Sequence, residues 1–268
     1  MDPLINVITR VSRKNFFKRC RESLLSQKYK NVNHICTYES KEIGDFLQSF
    51  TDLSLVKVPN FKRIPNLFYS YNHHDLLDDF VDPDWEFQQK LAHTLMKDFR
   101  DKKIPVEQKQ YGEYKSSSFT SRPKLRHCPY NSYVKIAESK INDGWVFYLD
   151  DDDYFHSDDF LQMLKLNILE NNEDTLHIFR KISTVGKTMP SEISWSKIKS
   201  GHPVILHDFG TSCFCFHSKY LDYTVWDEWS GADYRTAKAL EKMIPNKNYI
   251  ENISIVFGSN DGESVDLF

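Results

Sequence analysis

This chain of 268 residues lacks a surplus of either charge: 35 Lys and Arg stand against 38 Asp and Glu, a net charge of -3. A partner held by neutralising a run of phosphates is therefore not expected, and no nucleic acid is among the expected partners. A disulfide framework is also missing. The five cysteines are odd in number and scattered. No C-x-x-C pair occurs, so free thiols in a reducing compartment are expected rather than a zinc site. Cys213 and Cys215, two apart in "TSCFCFHS", would share one face of a strand. The opening "MDPLINVITR" has no charged-then-apolar signal, and no apolar run approaches the length that spans a bilayer. There is no internal repeat. The expectation is a soluble, cytoplasmic protein with no membrane span.

Apolar and aromatic residues are plentiful, at 40% and 14%. They suffice for one large domain over 1–268 with an inserted segment. "LINVITRV", "VNHICTYE" and "LSLVKVP" read as strands, with an amphipathic helix over about 14–27 between the first two. The basic stretch "RKNFFKRCR" in that helix reads as a solvated face. Strand, helix, strand in about forty residues is the βαβ pattern and implies a parallel sheet. The rhythm breaks over about 60–128, which reads as a mostly helical excursion with a polar loop. It returns with a helix over about 131–139 and the strands "WVFYL", "TLHIFRKI", "TSCFCFH" and "NYIENISIVFG". Helices "DDFLQMLKLNILE" and "GADYRTAKALEKM" alternate with them, and "VGKTMPSEISWSKIKSGHP" reads mostly as loop. The fold class is α/β.

"GWVFYLDDDDYFHSDDF" carries the strongest chemical signal. A buried strand ends without a turn residue in Asp150, Asp151, Asp152 and Asp153, and no basic residue lies beside them in sequence to offset their repulsion. In open α/β sheets, ligands bind beyond the carboxyl ends of strands. Hard oxygen ligands suit Mn²⁺ or Mg²⁺, and one or two carboxylates plus substrate phosphates is the usual way to hold them. The spacing Asp150-x-Asp152 thus points to a metal that carries a diphosphate. The plainer alternative is an acidic flank to the following helix. Ser157 or Asp158 already supplies that as N-cap.

"FYLDDDDYF" resembles the D-x-D segment of glycosyltransferases with the GT-A fold. "RESLLSQKYKNVNHICTYE" is similar to the early helix-and-strand stretch of the large inverting family-two group, and "INVITRVSRKNF" to its first strand. "SGADYRTAKAL" resembles the late acidic helix start of that group. The resemblance covers about 5–39 and 129–240 and is nearest to compact glycosyltransferases of large DNA viruses. It implies a GT-A, Rossmann-like, mostly parallel central sheet flanked by helices, with a helical or loop insertion. It also implies a metal-dependent inverting enzyme moving a hexosyl or deoxyhexosyl group. The donor would be a nucleotide-sugar, UDP-sugar foremost, and the acceptor a glycan or glycoconjugate. Mn²⁺ or Mg²⁺ would be the cofactor.

Residue by residue, the resemblance implies that Thr9, Arg10 and Val11, with Tyr38 and Glu39, hold the nucleotide. Tyr38 would stack on the base or be an ordinary strand-end aromatic. Glu39 would accept a hydrogen bond from the base. Arg13 would reach the diphosphate or be a solvated helix-start arginine. Asn131 falls near the family's Asn on the helix before the D-x-D strand. Asp152 and Asp150 would bind metal, Asp151 would face the sugar or ribose, and Asp153 would cap the turn. Asp233 would be the general base or a mere helix-start acid, with Asp227 and Glu228 in reserve. Trp226 and Trp229 would floor a sugar site or lie in the core. His73, His74, His202, His207 and His217 have no ligand spacing. "NDGES" would be a flap or a loose tail. Two other functions stay open. A phosphohydrolase or phosphotransferase would want Thr where Tyr154 stands and its nucleophile strand first in the sheet. A non-catalytic Ca²⁺- or glycan-binding module would use the aspartates only to hold an ion.

Overall fold

The computed structural model describes residues 2–59, 67–68, 124–125, 128, 130–203, 209–226 and 231–258. Short apolar runs become the strands of the sheet. The strands are β1 (Ile5–Arg10), β2 (Val32–Tyr38), β3 (Leu53–Lys57), β4 (Leu67–Phe68), β5 (Lys124–Leu125), β6 (Trp145–Tyr148), β7 (Tyr154–Phe155), β8 (Thr175–Ser183), β9 (Thr188–Met189), β10 (Phe214–His217) and β11 (Asn246–Phe257). The main sheet runs β3-β2-β1-β6-β10-β8-β11-β7, with β9 beside β8. β3, β2, β1 and β6 are parallel; β10 is antiparallel to both β6 and β8; β11 returns parallel to β8. The expected α/β, mostly parallel sheet is thus observed. In the inserted segment, β4 and β5 pair with each other and not with the main sheet. The rest of the helical expectation for 60–128 lies outside the described residues.

Alternation along β6 divides the core. Val146 and Tyr148 face one side with Ile8, Ile178, Phe214 and Phe216. Against them pack α3 (Asn131–Glu138), α5 (Glu192–Lys199) and α6 (Ala232–Met243). Trp145, Phe147 and Leu149 face the other side, under α1 (Lys14–Leu25) and α4 (Phe160–Glu170). Burying these aliphatic and aromatic side chains is the main source of stability, at about 1.5–3 kcal/mol for each fully buried one. Helix α2 (Lys41–Leu47) starts on Ser40, whose side chain accepts the Ile43 N–H at 3.1 Å.

The structure corrects several local expectations. The stretch expected as loop after β8 contains β9 and α5; Ser191 caps α5 by accepting the Ser194 N–H. The N-cap of α4 is Asp159, not Ser157 or Asp158. It makes no side-chain cap bond, because Asp158 and Asp159 both turn to Lys28. Cys213 and Cys215 lie on opposite faces, because the turn Thr211–Cys213 breaks the alternation before β10. The basic stretch of α1 is not simply solvated. Arg21 is buried against Asp52, and the Arg19 guanidinium lies over the Tyr154 ring at 4.5 Å. Among the described residues, no helix is long and apolar enough to cross a membrane.

Candidate functional site

The carboxyl ends of β1, β2 and β6 meet side by side, because these three strands are parallel neighbours. The aspartate run leaves β6 there, and each carboxylate finds a different environment.

Asp151 is fully buried. Its Oδ2 accepts the Ser12 N–H (2.7 Å), the Ser12 hydroxyl (2.9 Å) and the Arg13 N–H (2.9 Å); its Oδ1 accepts from the Arg13 guanidinium. Helix α1 has no side-chain cap of its own. Asp151, leaving the neighbouring strand, instead accepts the two amides that precede the helix and places an anion near its positive end. Both its oxygens are thus engaged within the fold. Asp153 is also buried. It accepts from Lys181 Nζ at 3.1 Å and from the Ser212 hydroxyl. Its amide closes a turn onto the Asp150 carbonyl at 3.0 Å. Burial pushes the Asp153 carboxyl up to about 7, against the pull of Lys181. Burial works to lower the Lys181 ammonium, but Asp153 and Asp150 hold it above its ordinary value. Gly210 leaves room for it: a Cβ there would stand 2.8 Å from Lys181 Nζ. The cluster thus has two cations that its neighbouring sequence does not show, Arg13 and Lys181.

Asp150 and Asp152 remain, half-buried and at the rim. Asp150 accepts from the Thr211 hydroxyl. Asp152 meets Arg13 Nη2 at 3.0 Å. The Asp152 carboxyl lies above the usual range, first because it is buried and next because Asp150 repels it. Among the described residues, no group of three or more His, Cys, Asp and Glu side chains is arranged to hold a metal ion. The chain therefore offers a hard divalent cation two mutually repelling carboxylates. That set fits a cation whose other ligands come from a substrate phosphate or water.

Asp233 joins this group from the helix-α6 face of the sheet. It is the second residue of α6, whose N-cap, Gly231, has φ 82 and ψ 15, a left-handed conformation natural to glycine. Its Oδ1 accepts the Tyr234 N–H at 2.9 Å. Burial raises its carboxyl above the ordinary value, and Asp150 adds to this while Lys181 opposes it. Asp233 and the aspartate run therefore share one electrostatic site, although they lie far apart in the sequence.

The nucleotide-side candidates divide in the same way. Thr9 and Val11 turn inward: Thr9 is fully buried and bonds His34 Nε2 at 3.0 Å, and Val11 lies in the core beside Phe17 and Leu47. Their side chains face the core. Arg10 is half-buried, its guanidinium 4.1 Å from the centre of the Tyr130 ring. Glu39 accepts from the Tyr133 hydroxyl of α3, and Asn131 opens the same helix. Tyr38 packs its ring over Gly44 and against the cluster around Phe17. Trp226 is a core residue: its indole N–H donates to Glu138 at 2.7 Å. His217 lies beside Asp143 and Glu173, away from the aspartate run. His73, His74, His207, Asp227, Glu228, Trp229 and "NDGES" lie outside the described residues.

Neither a protein-family model nor a curated protein sequence matches this chain. Solved structures do resemble it. TarS from S. aureus, residues 1–349, superposes with a TM-score of 0.55 at 10% identity, over 95% of this chain and 60% of that one. The same TarS segment in complex with UDP-GlcNAc gives 0.54 at 10% identity, over 97% and 60%. The likeness is one of fold. This chain spans 60% of the length of the TarS segment.

Proposed function

We propose that the chain is a metal-dependent inverting glycosyltransferase. It moves a hexosyl or deoxyhexosyl group from a nucleotide-sugar, a UDP-sugar foremost, to a hydroxyl of a glycan or glycoconjugate. One observation carries this reading. Among the carboxylates gathered at the strand ends, Asp151 and Asp153 are committed to the fold, which leaves Asp150 and Asp152 at the rim with Asp233 in the same field. The fold shared with TarS, which has been solved with UDP-GlcNAc, supports it.

In this reading Asp152 and Asp150 would hold Mn²⁺ or Mg²⁺, with the donor diphosphate supplying further oxygens. The cation would offset the charge of the departing diphosphate. Arg10, Tyr38, Glu39 and Asn131 line the nucleotide side, and Arg13 meets the phosphates. Thr9, Val11 and Asp151 support these residues from behind. Asp233 takes the proton of the acceptor hydroxyl as that oxygen attacks the anomeric carbon from the face opposite the diphosphate. Its raised pKa suits a base that must hold a proton.

The test is a melting measurement followed by an assay. UDP with Mn²⁺ should raise the melting temperature, and Ca²⁺ alone should not. A panel of nucleotide-sugars with Mn²⁺ should then release nucleotide diphosphate. A shift with Ca²⁺ alone and none with UDP and Mn²⁺ would favour an ion-binding module instead.

A further inference from the structure

We propose that Arg13 is a positioning residue that couples the two ligands of this site: it competes with a divalent cation for Asp152 and releases that carboxylate when a diphosphate takes up its guanidinium. The inference rests on the glycosyltransferase reading. Three features of the structure carry it. Arg13 is held from behind, because Nε lies 3.2 Å from Asp151 Oδ1 and Nη2 bonds the same oxygen of a carboxylate that is fully buried. The Phe16 ring lies 4.7 Å from the guanidinium carbon and supports it further. The same Nη2 also lies 3.0 Å from Asp152 Oδ1, so Asp152 shares a nitrogen that Asp151 already holds, and these side chains are 16% and 23% exposed.

A cation placed on Asp152 therefore stands close to a fixed positive charge, and a few ångströms of separation make that repulsion substantial at the surface of a protein. A diphosphate alone meets the opposite problem in Asp150 and Asp152. When both bind, the attraction of the phosphate oxygens for both guanidinium and cation would outweigh the two repulsions. Guanidinium suits this exchange because its planar fork serves carboxylate and phosphate oxygens alike. Each ligand must then raise the affinity for the other by the same factor.

The experiment titrates Mn²⁺ into the full chain with and without saturating UDP, following free Mn²⁺ by electron paramagnetic resonance. In the wild type, UDP should tighten Mn²⁺ binding by about tenfold or more. In Arg13→Gln, Mn²⁺ alone should bind several-fold tighter, by roughly the size of a modest coupling, and the gain from UDP should fall several-fold below that of the wild type, the remainder coming from phosphate oxygens that ligate the ion directly. Asp151 keeps the Ser12 N–H, the Ser12 hydroxyl and the backbone N–H of position 13 in that variant. Should Arg13→Gln nevertheless melt early, Arg13→Lys carries the test; it keeps the charge without the fork and should also show a reduced gain. Unchanged or weaker Mn²⁺ binding with an undiminished gain overturns the coupling alone. A wild type that binds neither Mn²⁺ nor UDP overturns the glycosyltransferase reading, and the coupling with it.

Discussion

Lys181 Nζ lies 3.1 Å from the Asp153 carboxylate, and these side chains are 5% and 3% exposed. Lys181 stands on β8 and Asp153 follows β6, strands separated by β10, so the pair spans the sheet beneath the rim. A buried pair of this kind adds little net stability, but losing one partner strands the other charge. Here the pair also fixes the Gly210–Ser212 turn, through the Ser212 hydroxyl, which bonds both members. Thr211 of that turn reaches Asp150. The floor of the site is thus tied to its rim.

The raised Asp153 pKa predicts a pH-dependent stability. A carboxyl at about 7 in the fold and near 3.8 when unfolded binds more protons folded than unfolded between those values. Its contribution is therefore fully present below the unfolded value and lost as pH rises through about 7. The double variant Asp153→Asn, Lys181→Met removes this titration without stranding the buried ammonium. From pH 5 to pH 8 the wild type should lose roughly 2 kcal/mol of stability relative to the variant. Urea denaturation of both proteins across that range measures it, and a constant difference would count against the shift.

A second prediction concerns Glu138, buried on the other side of Tyr148. It accepts from the Tyr148 hydroxyl at 2.5 Å, the Trp226 indole at 2.7 Å and the Thr224 hydroxyl at 2.6 Å, with Lys135 Nζ 3.1 Å away. Glu138→Ala leaves several buried donors unsatisfied and should cost about 3 kcal/mol or more. Glu138→Gln keeps the shape and one acceptor and should cost distinctly less. Urea unfolding of both variants separates these outcomes.

The seven longer strands of the main sheet could be read in the sequence because each contains an apolar run with a clear end, whereas the two-residue β7 and β9 could not, and the aspartates marked a candidate site by their mutual repulsion. What stayed hidden was long-range. Ser12 and Asp151 are 139 positions apart, so nothing local reveals that this aspartate bonds the chain at the start of α1. Lys181 sits in "TLHIFRKI" like any solvent-facing strand residue, and only the fold turns it onto Asp153. Helix α5 did carry local signals, Ser191 as cap, Glu192 in its first turn and Lys197 and Lys199 in its last. The Gly and Pro residues that flank it masked them.

The metal reading makes a third prediction. Asp152→Ala should abolish the melting shift caused by UDP with Mn²⁺. It should leave the melting temperature without ligands within a few degrees of wild type, because Asp152 is at the rim and its ion pair with Arg13 is partly exposed. Excess chelator should remove the same shift from the wild type. A full shift in either case would separate nucleotide binding from the cation.

The last prediction concerns Asp233. An acceptor hydroxyl is a poor nucleophile at neutral pH, so a positioned base should contribute roughly a hundredfold or more to transfer. Asp233 is suited by place: it lies in the first turn of α6 after Gly231, and it shares the field of Asp150 and Lys181. It is not needed to hold the donor. Asp233→Asn keeps the oxygen that accepts the Tyr234 N–H, so the helix start should survive. Donor affinity and melting temperature should therefore stay near wild type while transfer falls by about a hundredfold. Donor affinity and transfer rate, measured side by side for both proteins, decide the matter. Transfer within a few-fold of wild type would reduce Asp233 to a helix-start acid and leave the base to be sought elsewhere along the acceptor side.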